Sequence, residues 1–192
     1  MRKKLGMIFM ILGVLLIFSA GALLSYNRMT DQEANEAAQE VLPDIKEAIA
    51  EQEEAEPEIS DEMKTVEIDG YEYIGYLSIP ALELELPVMA QWDYARLKLA
   101  PCLYYGSVKT DDMVIAAHNY SRHFGRLKQL KTGDSVYFTD VEGNIYTYEV
   151  GGTETLPPDA VEEMIESEWE LTLYTCTYGG AERVTVRCGR VE

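Results

Sequence analysis

Two runs decide the fold: Glu170-Leu171-Thr172-Leu173-Tyr174-Thr175-Cys176 and Arg183-Val184-Thr185-Val186-Arg187-Cys188. Both alternate with a period of two, the side-chain period of a β-strand. In the first, Leu171 and Leu173 share a face with Thr175, while Thr172, Tyr174 and Cys176 point the other way. In the second, Val184, Val186 and Cys188 face a core, and Arg183 and Arg187 face outward. Cys188 thus reads as a small buried hydrophobe. Cys176 ends its strand off the apolar face, with arginine on the next strand to favour a thiolate or an oxyanion.

The same short period, broken by Gly, Pro, Asp and Asn, extends back to Val66. It predicts strands at Tyr73–Ile79, Glu83–Met89, Met113–Ala117, Asp134–Thr139, Asn144–Val150, Glu170–Thr175 and Arg183–Arg190, with a hairpin turn at Asp140–Gly143. Short helices are expected at Asp93–Leu99, Phe124–Leu130 and Asp159–Glu166. So many strands at close spacing predict a mainly β domain, residues 66–192, built as a closed or nearly closed barrel. His118 closes the apolar run Met113–Ala117 and opens the loop Asn119-Tyr120-Ser121-Arg122, which puts an imidazole at a strand end, where sites assemble. His123 is its only competitor. A cysteine with a histidine distant in sequence is the general sign of a thiol nucleophile, and a packed core histidine is the bland alternative.

The net charge is −18 over 192 residues. Such a surface repels phosphate backbones, and no basic stripe with interleaved aromatics offsets it, which disfavours nucleic acid as a partner. Cys102, Cys176 and Cys188 are too few and too far apart for a disulfide scaffold or a paired zinc site. The charge is unevenly spread: residues 1–29 carry +4, residues 30–63 carry −12 from thirteen carboxylates and Lys46, and −10 is left for the rest.

Residues 5–24 hold no charge, and twenty helical residues span about 30 Å, the thickness of a bilayer's hydrocarbon. Arg2, Lys3 and Lys4 in the stretch 1–4 place the amino terminus in the cytoplasm and the rest outside. Ala20-Gly21-Ala22 resembles a signal cleavage site, but Leu23 and Leu24 beyond it favour a retained anchor. Residues 25–65 form an acidic helical linker. Thr30 and Glu33 fit a capping box, Pro43 is the expected break between two short helices, and the stripe Val41, Leu42, Ile45, Ile49 is thin enough to predict a solvated spacer.

With these residues in place, the chain resembles the sortases, cysteine transpeptidases anchored on Gram-positive surfaces. Thr172-Leu173-Tyr174-Thr175-Cys176 matches the family's T-L-x-T-C motif at every fixed position, and Ala117-His118-Asn119 matches its histidine motif. Tyr73-Ile74-Gly75-Tyr76-Leu77-Ser78-Ile79-Pro80, Tyr105-Gly106-Ser107 and the segment Phe124–Asp134 are similar to the family's flanking stretches. Many members have Ala-Gly where this chain has Ala116-Ala117.

The resemblance implies an eight-stranded barrel, with Cys176 as nucleophile, His118 as general acid and base, and Arg183 as orienter or oxyanion donor. Asn119, Thr175 and Tyr174 would be the substrate-binding residues beside them. Arg183 is preferred to Arg187 for its position just before Val184-Thr185-Val186. The substrate would be a secreted protein with an LPxTG-like sorting signal, cleaved through a thioacyl enzyme and passed to an amine of a cell-wall precursor or a pilin lysine. A hydrolytic cysteine peptidase and a catalytically silent surface binding domain are the alternatives. No cofactor is expected. Some relatives bind calcium near the loop that here carries Glu154, Asp159, Glu162, Glu163, Glu166 and Glu168, but these carboxylates equally fit a solvated face. Cys102 and Cys188 could pair outside the cell, or simply pack.

Overall fold

The computed structural model describes residues 2–52 and 63–191; residues 53–62 of the acidic linker and Glu192 of the barrel domain lie outside the described residues. Two compact units emerge, residues 1–33 and 34–192. Among the described residues helix α1 runs Arg2–Gln52, and nine strands follow: β1 (Val66–Ile68), β2 (Tyr71–Ile79), β3 (Leu84–Met89), β4 (Cys102–Tyr105), β5 (Met113–Ala116), β6 (Ser135–Asp140), β7 (Ile145–Leu156), β8 (Leu171–Cys176) and β9 (Arg183–Arg190). A five-residue helix α2 (Val161–Ile165) sits between β7 and β8.

Strands β2 to β9 close on themselves in the order β2-β3-β4-β5-β8-β9-β7-β6, with β6 returning to β2. The barrel is therefore eight-stranded, and β1 is a short addition beside the start of β2. Closure needs Gly75. It lies at a bulge in β2 with φ +142°, and a Cβ there would meet the Thr139 carbonyl oxygen at 1.9 Å. Alternate residues fill the interior: Leu77 and Ile79, Leu86 and Val88, Val136 and Phe138, Leu171 and Leu173, Val186 and Cys188 are all buried there.

All seven expected strands form, and the hairpin turn is present, with Asp140 Oδ1 accepting from the backbone of Glu142 and Asn144 (both 2.9 Å). Two strands went unread because β1 and β4 are only three and four residues long. Strand β7 runs past Val150 to Leu156, because Gly151-Gly152 makes a bulge rather than a stop and pairing with β9 resumes beyond it. The stretches within 93–99 and 124–130 wind as 3-10 turns at Arg96–Lys98 and Phe124–Gln129. Cys102 and Cys188 are free thiols buried in separate apolar clusters, so the disulfide alternative falls. Burial pushes each thiol up to about 12, consistent with inert packing groups.

The linker differs most from its expectation. Pro43 lies inside α1, which continues unbroken to Gln52, and Thr30 is mid-helix, its hydroxyl donating back to the Tyr26 carbonyl (3.1 Å). Within the second unit, Ala34, Ala38, Leu42, Ile45 and Ile49 recur at helical spacing and are buried. The small Ala residues extend the stripe that the larger residues only begin, and they allow close approach to the barrel. The face covers a seam, since β3 and β4 are joined by the single pair Met89–Cys102. Ile45 and Ile49 pack with Tyr73, Met89, Ala100 and Cys102, and Gln39 Nε2 donates to the carbonyl of Glu85 (3.0 Å), a β3 residue paired with β2 but not with β4. Lys46 pairs with the Glu85 carboxylate at 2.8 Å.

In the first unit the side chains from Met7 to Leu24 are largely exposed, and α1 is long and apolar enough there to cross a membrane.

If α1 is the cover of the seam, its apolar stripe carries the docking. Ile45→Ala, in the full chain in detergent, should lower stability by about 2–5 kcal/mol. Lys46→Ala should cost under about 1 kcal/mol, since that ion pair is about two-fifths exposed on both sides. Denaturant unfolding of the two variants checks the ranking, and equal losses would refute it.

Candidate active site

Three neighbouring strands, β5, β8 and β9, bring the predicted residues together. β5 and β8 are parallel with Ala116 opposite Tyr174, and the register is carried further by the Ala117 N–H donating to the Tyr174 carbonyl (3.2 Å) and the Thr175 hydroxyl donating to the Ala117 carbonyl (2.8 Å). One step on, His118 stands level with Cys176. On the other side β8 and β9 are antiparallel, and Cys176 is the direct partner of Arg183. Cys176 therefore lies one strand from the chain leading to His118 on one side and one strand from Arg183 on the other, at the usual backbone spacing of about 4.8 Å. All three residues are partly exposed, at the open end of the strands.

His118 is half-buried and stacks on Tyr120, with centroids 4.7 Å apart and an interplanar angle of 25°. Burial lowers its pKa, the Lys98 ammonium lowers it further, and a hydrogen bond with the Asn119 side chain opposes both. Near neutral pH the imidazole is thus mainly uncharged and able to accept a proton. His123 is fully buried, edge-on to Tyr120 at 5.6 Å, and belongs to the interior. Arg183 Nη1 donates to the carbonyls of Gly180 (3.1 Å) and Glu182 (3.2 Å), which fastens the guanidinium to the turn that follows Cys176.

Of the three expected substrate-binding residues, Asn119 touches His118 and lines a cavity of about 160 Å³ beside Cys176, shared with Phe124, Lys128 and Tyr178. Thr175 also borders that cavity, but its hydroxyl is committed to Ala117, so its main work is to lock β5 to β8. Tyr174 lies on the Cys176 face, edge-on to Tyr104 (5.3 Å), from which rings continue to Trp92 (5.4 Å) and Tyr94 (5.6 Å). Sequence reasoning passed over this aromatic ledge, because Trp92 and Tyr94 fall in a loop without period.

Arg187 shares the outward face with Arg183, as alternation requires, yet it is only 6% exposed. Helix α2 covers that part of the sheet. The Arg187 guanidinium donates to Glu154 Oε1 (2.7 Å), Thr172 Oγ1 (2.9 Å) and the Met164 carbonyl (3.3 Å), and also to the Glu163 carbonyl. It is thus a buried, multiply bonded arginine rather than the exposed residue that alternation alone suggests. The loop carboxylates form no group of three or more metal-ligand side chains among the described residues, and Glu154 is paired with Arg187.

A family model described as a Sortase domain matches residues 77–191. A sortase A of Bacillus anthracis is 32% identical over 125 residues, which are 60% of this chain and 57% of that protein, so the chain spans little more than half of that relative. A sortase A of Listeria monocytogenes is 27% identical over 92% of this chain and 84% of its own length. Among solved structures, sortase C1 of Streptococcus agalactiae superposes with a TM-score of 0.56 at 27% identity, covering 66% of this chain and 71% of that one.

The burial and Lys98 contributions make His118 a measurable target. Its imidazole should titrate below the ordinary 6.5 by NMR. Lys98→Ala should raise the midpoint, because a nearby ammonium penalises imidazolium. A midpoint that stays put in Lys98→Ala would show that the ammonium does not act on this ring.

Proposed function

The chain belongs to the sortase family of cysteine transpeptidases, and on that premise we propose that it cleaves LPxTG-like sorting signals of secreted proteins and joins them to an amine. The observation that carries this reading is the placement of Cys176 between His118 and Arg183 at the ends of three adjacent strands.

The uncharged His118 imidazole takes the proton of the Cys176 thiol as sulfur attacks the carbonyl carbon of the Thr residue in the signal. Charge gathers on the carbonyl oxygen, and Arg183, which stays protonated, donates to it. Collapse of the tetrahedral species breaks the Thr–Gly bond. His118 returns its proton to the departing glycine nitrogen and leaves a thioacyl enzyme. An incoming amine, from a cell-wall precursor or a pilin lysine, loses a proton to His118 as it attacks the thioester, and the proton passes back to the Cys176 sulfur. Every proton and electron pair is handled by thiol, imidazole and guanidinium, so the proposed reaction needs no cofactor. The apolar start of α1 anchors the protein in the membrane with its amino terminus in the cytoplasm and the barrel outside, where both substrates emerge.

Peptide cleavage and thioacyl formation, followed by mass on a fluorogenic sorting peptide, should vanish in Cys176→Ala. Cys188→Ala should keep the chemistry and lose about 1 kcal/mol of stability. His118→Ala should reduce kcat/KM by about 10²- to 10⁴-fold, and Arg183→Lys by about 10²-fold or more if the planar fork serves the oxyanion. Activity surviving in Cys176→Ala would refute the assignment. Protease added to protoplasts should remove the barrel and leave an amino-terminal membrane fragment, and a protected barrel would reverse the topology.

A further inference from the structure

The loop that follows His118 closes on itself. The His118 carbonyl accepts from the Phe124 N–H (3.2 Å), and the Tyr120 carbonyl accepts from both the His123 N–H (3.0 Å) and the Gly125 N–H (2.9 Å). Arg126 Nε donates to the Ser121 carbonyl (3.0 Å), and the same guanidinium reaches the Leu82 carbonyl, which ties the loop to the turn Pro80–Leu82 ahead of β3. Gly125 makes this winding possible. A Cβ there would meet the Asn119 carbonyl oxygen at 2.5 Å and the Tyr120 carbonyl oxygen at 2.7 Å, both shorter than a real Cβ contact and both backbone atoms.

The winding presents the ring of Tyr120 to the His118 imidazole, against which it lies with centroids 4.7 Å apart and planes within 25°. The same ring meets His123 edge-on (5.6 Å, 61°), and His123, being fully buried, gives it a fixed wall. The imidazole needs such a contact. The torsion that turns a histidine ring has broad, roughly two-fold wells, so on its own it would not hold a half-buried ring at one angle beside Cys176. The face of Tyr120 sets the plane of the imidazole, and the hydrogen bond with the Asn119 side chain selects between its two flips. Both contacts come from the two residues whose carbonyls Gly125 admits.

We propose that Tyr120 is a positioning residue for the general base: its ring, seated by the close approach at Gly125, holds the His118 imidazole at the angle from which it takes the Cys176 proton. The inference rests on the role given to His118 above. The phenol hydroxyl has no part in it, so phenylalanine serves as well as tyrosine. Leucine fills much of the space but offers no flat face. Gly125→Ala keeps the tyrosine and displaces the backbone that carries it.

The test compares kcat and KM for a sorting peptide in Tyr120→Leu and Tyr120→Phe, in the full chain in detergent, with the melting temperature followed in each. In Tyr120→Leu kcat should fall about tenfold or more, the loss that a small misplacement of a reacting group brings, with KM within about twofold. Tyr120→Phe should keep both constants within about twofold of the unsubstituted protein. Gly125→Ala should lower kcat as Tyr120→Leu does, whereas Gly152→Ala, where an added Cβ meets nothing within 4 Å, should leave it unchanged. Alkylation of Cys176 by iodoacetamide needs no peptide, and it should slow in Tyr120→Leu because a misdirected imidazole accepts the thiol proton less readily. If Tyr120→Leu does not fold, Tyr120→Met, which keeps apolar bulk without a flat face, carries the same comparison. An unchanged kcat in Tyr120→Leu would overturn the proposal, as would an equal fall in Tyr120→Phe, which would move the effect to the hydroxyl. A rise in KM alone would overturn it too, by placing the ring against the peptide. Failure of the unsubstituted protein to cleave any sorting peptide would sink the substrate reading only; an alkylation rate in Tyr120→Leu equal to that of the unsubstituted protein overturns the role of Tyr120 whatever the substrate is.

Discussion

The parallel register between β5 and β8 is the constraint on which the site depends. A parallel pair has no tight turn to set its alignment, and residues 117 and 175 are far apart in sequence, so something else must fix the level at which the two strands end. The Thr175 hydroxyl on the Ala117 carbonyl does this from inside the barrel. A slip of one residue would move His118 away from Cys176 and reverse every side chain of β8 between core and surface. The methyl of Ala117 leaves this bond intact.

A second constraint is the weak join between β3 and β4. One residue pair cannot close a barrel wall, and an unpaired strand edge invites association with other chains. Helix α1 supplies the missing cover with a stripe of small and branched side chains and with polar bonds to Glu85. The segment behind the seam also carries Lys98, so the helix helps to hold the loop whose charge acts on His118. The acidic linker is accordingly part of the domain's wall over residues 34–52.

Much of this was legible in the sequence because alternation is a strong signal where one face of a strand is buried. Leu171, Leu173, Val184, Val186 and Cys188 fall in the core where period two puts them, and Cys176 and Arg183 fall outside it. The failures have physical causes. Alternation separates two faces but does not say what covers the outer one, and α2 turned the outward Arg187 and Thr172 into buried residues. Pro43 reads as a helix breaker, yet it removes only one donor, and packing of Leu42, Ile45 and Ile49 outweighs that loss. Strand β4 hid because four residues are too few to show a period.

The pairing of Cys176 with Arg183 across a single short turn has a consequence for how the molecule assembles. Contacts between residues close in sequence form early, because little chain entropy opposes them, and a hairpin closes in about 1–10 μs. The thiol and the guanidinium can thus meet while the chain is still largely open. The imidazole arrives only with the long-range β5–β8 pairing, and the wall is sealed only when Gly75 reaches Asp140. A partly folded chain with only the β8–β9 hairpin formed would therefore hold Cys176 opposite Arg183 while His118 still lacked its place beside them.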